Sequence, residues 1–169
     1  MSEFSRLVSE WETFYLLTGT AAATLIGLLF VAISVGSETV EAKAKRDLAL
    51  FGALTFNCFF YVMVISILFL IPGISRFWLG IPLAVLGLLA LAGTTVQRRQ
   101  SKTIPPDRFG RPVAGRFTAP ILALLLIVVI GVMTAFGVGW SLYGLVVAII
   151  SLLASASQNA WALLMLDRP

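Results

Sequence analysis

Between Ala119 and Met165 not one residue carries a charge. A run of that length has no place on the surface of a water-soluble domain. It is also too long for one membrane crossing, because a hydrocarbon core about 30 Å thick is spanned by about 20 residues rising about 1.5 Å each. The run divides at Gly137-Val138-Gly139, which reads as a turn. This gives spans at 119–136 and 140–165. Three more apolar runs precede them, at 14–36, 48–71 (closed by Pro72-Gly73) and 77–96. The continuous apolar character argues against barrel strands, which alternate over segments of about 10 residues. The expected fold is therefore all-α: one polytopic domain over 1–169, a bundle of five transmembrane helices. Pro120 is expected in the first turn of the fourth span, where a missing N–H costs nothing.

Composition points the same way. Hydrophobic residues make up 59% of the chain and charged residues 12%, against roughly 25% charged in soluble domains. Mean hydropathy is +1.00 and the pI is 9.7. The net charge of +4 would suggest nucleic acid in a soluble protein. Here the basic residues sit between apolar runs and bear on topology.

Lys and Arg divide unevenly between the two sides. One side holds Arg6 and Arg76. The other holds Lys43, Lys45, Arg46, Arg98, Arg99, Lys102, Arg108, Arg111, Arg116 and Arg168. The positive-inside rule then places the N-terminus outside, with both basic loops and the C-terminus inside. Trp11, Trp78 and Trp140 each open an odd-numbered span and fall at the outer interface, where indole rings prefer to sit; Trp161 lies near the inner end. Glu3, Glu10 and Glu12 surround Arg6 ahead of the first span, so a signal peptide is not expected there. Residues 2–13 are amphipathic, with Phe4, Leu7, Val8 and Trp11 among polar neighbours. Two readings fit them: a short interfacial helix or an extension of the first span.

Catalytic chemistry finds little material. The chain has no histidine and one cysteine, Cys58. No ionisable side chain of the Asp, Glu, Lys or Arg type lies within the five spans, whereas proton relays and carboxylate ion sites normally require one. Intramembrane proteolysis by a Ser-His pair or by HExxH lacks its residues. No P-loop, Rossmann fingerprint or CxxC is present. Neither an enzyme nor a cofactor or metal site is expected.

The polar and small residues inside the spans each carry two readings. Gly19, Ala23 and Gly27 recur every four residues on one face of the first span, and Gly80/Ala84, Gly131/Ala135 and Gly144/Ala148 are similar pairs. Such spacing lets helix backbones approach closely; the alternative has Thr20 and Thr24 lining a water path. Asn57, close to Thr55 and Tyr61, is either an interhelical hydrogen-bond donor or part of a polar ring in a pore narrowed by Phe56, Phe59 and Phe60. Ser151, Ser155 and Asn159, with Gln158 beside them, form the most coherent polar stripe. It serves either packing or a ligand pathway of neutral oxygens and amides.

The loop 97–117 sets Arg98, Arg99, Lys102, Arg108, Arg111 and Arg116 against Asp107, and Pro105, Pro106 and Pro112 argue against a regular helix there. It reads as a topology determinant or as a contact for anionic lipid headgroups. It has no aromatic platform for nucleic acid.

The stretch Trp11–Ser34 has the core Phe14-Tyr15-Leu16-Leu17-Thr18-Gly19-Thr20-Ala21-Ala22-Ala23-Thr24, followed by Gly27-Leu28-Leu29-Phe30-Val31. It resembles the first helix of small multi-pass bacterial membrane proteins of unassigned function. The resemblance implies a bacterial inner-membrane location and carries no site residues with it. Small-residue stripes on four spans exceed what one small bundle needs, which predicts a homo-oligomer. The leading expectation is a homo-oligomeric channel or passive transport protein. The alternative is a non-transporting accessory subunit that binds another membrane protein or anionic lipid.

Overall fold

A computed structural model of the chain describes residues 3–36, 42–101, 113–138 and 141–165. They form six helices: α1 (Glu3–Glu10), α2 (Glu12–Gly36), α3 (Ala42–Phe69), α4 (Arg76–Ser101), α5 (Val113–Ala135) and α6 (Ser141–Met165). Helices α2 to α6 are each long and apolar enough to cross a membrane. Apolar sequence dictates helix here because lipid offers no partner for backbone N–H and C=O groups, so each span must pair them within itself. The chain is a multi-pass helical membrane protein.

Helices α3, α4, α5 and α6 pack as an up-and-down ring, each on its neighbour in sequence, with α6 closing back onto α3. The α3–α4 seam is the thinnest. Leu83, Leu124, Ile127, Leu145, Ile149 and Leu152 lie fully buried at the middle of this ring. Helix α2 stands outside it and leans on α3. Only 6% of its apolar window is buried within the chain, against 33–50% for the other four spans. Its buried residues Tyr15, Ala22 and Leu29 recur every seven positions, the spacing that keeps one narrow seam against a single partner.

Glycines set the closest approaches. A Cβ on Gly19 would sit 2.7 Å from Ser66 Cβ, and one on Gly52 would sit 2.9 Å from Ile33 Cδ1, so α2 and α3 cross antiparallel with a glycine at each end. Helices α4 and α5 are closer still. A Cβ on Gly131 would lie 2.5 Å from Ala84 N, and one on Gly80 would lie 2.6 Å from both Gly131 O and Ala135 N. The Gly80/Ala84 and Gly131/Ala135 pairs are thus two halves of one contact. Gly144 of α6 faces Ile130, and Ala148 is fully buried.

Residues 3–10 form a separate helix rather than an extension of the first span. The break falls at Trp11, whose N–H donates to Val8 O at 3.1 Å. Val8 is buried, and Phe4, Leu7 and Trp11 pack on the core, while Arg6 and Glu10 stay exposed. The Trp11 ring meets the Tyr143 ring edge-on at 5.2 Å, tying the start of α2 to the start of α6. Trp78 is 76% exposed and Trp161 63% exposed, at opposite ends of the bundle. Trp140 lies outside the described residues.

The turn after α5 has the form expected of a glycine helix stop. Gly137 has φ +89°, its N–H donates to Thr134 O, and Val138 N–H donates to Met133 O. These two bonds make a Schellman motif. The position a Gly137 Cβ would take lies 2.6 Å from Arg76 Nη1, so a guanidinium covers the helix end that carries partial negative charge.

Three expectations need correction. The second apolar run agrees with the span Ala49–Phe69, but helix α3 begins ahead of it at Ala42, so Lys43, Lys45 and Arg46, expected in a loop, belong to its first turns. Helix α4 runs to Ser101 and α5 starts at Val113, so both edges of the 97–117 loop are helical. Hydropathy marks where apolar side chains stop, whereas a helix continues as far as its backbone bonds are satisfied. Pro105, Pro106 and Pro112 lie outside the described residues. Because α5 starts early, Pro120 falls inside the helix and not in its first turn. Pro82 likewise sits inside α4. Transmembrane helices tolerate such prolines because neighbours re-satisfy the freed carbonyl.

Candidate functional site

The polar side chains named above separate into three places. The first is the end of the ring nearest the basic loops. On α6, Ser155 and Asn159 are buried and Ser151 is half-buried, while Gln158 points outward and is exposed. The stripe therefore faces the ring interior, toward α3 and α5, and not lipid. Thr94 and Ser101 of α4 and Thr55 of α3 are buried toward the same end. Thr55 Oγ1 donates to Phe51 O at 2.8 Å and Ser101 Oγ to Arg98 O at 2.8 Å; these hydroxyls are satisfied by their own helices. Asn159 Nδ2 and Gln97 Oε1 are buried without a hydrogen-bond partner. Hydropathy alone leaves Gln97 in the loop. Its signal is periodicity: it continues the inward stripe of Leu79, Leu83, Ala90 and Thr94.

The second place is α3. Asn57 is half-buried and lies one turn before Tyr61, whose Oη is 3.8 Å from where a Gly93 Cβ would be. Asn57 thus lies on the side of α3 turned to the thin α3–α4 seam. The three phenylalanines do not converge around it. Phe59 is buried in the core, whereas Phe56 meets Phe30 of α2 at 5.7 Å and stacks on Phe60 at 5.8 Å.

The third place is the outer face of α2. Gly19 is used up by Ser66, beside the Thr18–Ser66 hydroxyl pair at 3.2 Å. The rest of the stripe is bare. Ala23 is exposed, and a Cβ on Gly27 would meet nothing within 4 Å. Thr20 and Thr24 are exposed as well, and Thr24 Oγ1 donates to Thr20 O at 2.9 Å.

Of the basic residues, Arg99 is exposed and Arg98 half-buried at the end of α4. Arg116 belongs to α5. Lys102, Arg108 and Arg111 lie outside the described residues. Among the described residues no three His, Cys, Asp or Glu side chains group as metal ligands. No protein family, curated protein or solved structure matches the chain.

Proposed function

We propose that this protein is a non-transporting assembly subunit of the membrane, whose α2 docks a further transmembrane helix, in the first instance α2 of a second copy. The observation that carries the reading is the bare stripe of Ala23 and Gly27 on a helix that packs on the bundle chiefly through α3. In lipid, helices associate by close packing at small residues, because acyl chains are as apolar as leucine. Thr24 suits the same role, since its hydroxyl is already bonded to its own helix and can enter a contact without an unsatisfied group. The middle of the ring is filled by leucine and isoleucine, which supports the non-transporting reading over a path through one protomer.

A homo-oligomeric channel is the second reading, favoured by the exposure of Thr20 and Thr24 on α2; its pathway would run between protomers. In both readings the basic loops face the cytoplasm of a bacterial inner membrane, with Arg98 and Arg99 against anionic headgroups. The test is the mass of the protein in nanodiscs, corrected for lipid, for the native chain and for Gly27→Ile. A native oligomer reduced to protomers by the substitution supports α2 as the assembly helix. A native protomer overturns self-assembly. An oligomer that conducts ions or solutes in liposomes moves the assignment to the channel.

A further inference from the structure

We infer that the basic-loop end of the α3–α6 ring is a hydrated, dead-ended chamber whose ligand is water. The inference is independent of what α2 docks. Two orphaned side-chain atoms carry it. Asn159 is 2% exposed and its Nδ2 has no partner. Gln97 Oε1 is buried and has none either. One is a donor and the other an acceptor, and water serves both. Lipid chains serve neither, and a buried amide left unpaired is a standing penalty that a water with two to four polar partners removes.

The two residues stand on different helices that face one interior. Asn159 ends the inward stripe of α6, after Leu145, Ile149, Leu152 and Ser155. Gln97 continues the inward stripe of α4, after Leu83, Ala90 and Thr94. Helices α4 and α6 both pack on α3 and α5, so the two stripes face the interior of one four-helix ring. Thr94, Ser101 and Ser155 are buried toward the same end. Further along, the α6 stripe turns to Leu152 and Ile149 and the α4 stripe to Ala90, Gly87 and Leu83, joined by Leu124 and Ile127 of α5. The polar lining therefore stops at mid-membrane. Such a layer excludes water as a hydrophobic constriction does.

The experiment uses the native chain, 15N-labelled and reconstituted in lipid bilayers, with resonances assigned through the backbone. Magnetisation is transferred from water and read at the side-chain amide protons. The expected result is transfer to the Asn159 and Gln97 amides, as to the exposed Gln158 amide, and loss of transfer at the backbone amides of Leu83 and Ile149. Absence of transfer at Asn159 and Gln97, with Gln158 strong, overturns the chamber. Equal transfer at Leu83 and Ile149 overturns its dead end, since water would then cross the ring.

Discussion

Gly80 and Gly131 share one crossing point: a Cβ on Gly80 would lie 2.6 Å from Gly131 O, and one on Gly131 would lie 2.9 Å from Gly80 O. Both clashes are with backbone, which cannot rotate away. Gly80→Ala and Gly131→Ala must therefore push α4 and α5 apart along the whole seam. Each is expected to destabilise the fold by about 1–3 kcal/mol, the usual cost of overpacking, measured as unfolding free energy in mixed micelles. Gly27→Ala, with nothing within 4 Å, is expected to stay within about 0.5 kcal/mol of the native chain.

The Gly19–Ser66 approach makes a different prediction, because the obstacle is a side chain. Gly19→Ala clashes with Ser66 Cβ at 2.7 Å, and Ser66→Gly removes that atom. The double variant should recover part of the loss, with a coupling of about 0.5–3 kcal/mol in a double-mutant cycle. Ser66→Ala alone should cost only about 0.6 kcal/mol. Thr18 Oγ1 keeps its bonds to Phe14 O at 3.0 Å and Tyr15 O at 3.3 Å when Ser66 Oγ is gone. Additive losses in the cycle would contradict the contact.

At the α5–α6 turn, Gly137→Ala is expected to cost about 1–2 kcal/mol, because φ +89° is unfavourable for any residue with a Cβ. Arg76→Ala should cost less, about 0.3–1 kcal/mol, and the difference should shrink in high salt, as an interaction with a helix end does. Thermal melts of both variants at two ionic strengths check this.

On α2, Thr24→Ala should leave the assembly unchanged, since the Thr24 hydroxyl is spent on Thr20 O. Gly27→Ile should disrupt it without unfolding the protomer, because a Cβ on Gly27 would meet nothing within 4 Å in its own chain. Native mass spectra of the two variants separate these outcomes.

These contacts show what a one-dimensional reading reaches. Five crossings were legible because lipid forces every apolar run of sufficient length into a helix. The small-residue pairs on α4 and α5 were legible as motifs, but not as partners, because each pair looks the same whether it meets its own chain or another. The peripheral place of α2 was hidden, since its run is as apolar as those inside the ring. Ser151, Ser155 and Asn159 could be placed on one face by spacing. Whether that face turned inward depended on where α3 and α5 stood. Gln97 was lost to the loop because a polar residue at the end of an apolar run resembles the start of a connection.

The ring closes between α3 and α6, which are the farthest apart in sequence of its four helices. During synthesis α3 enters the bilayer long before its last neighbour exists. Its side chains Phe51, Leu54 and Ile65, buried in the finished protein, must wait against lipid or against the insertion machinery. A chain cut before α6 leaves that wall open, and with it the amide-bearing end that Asn159 completes.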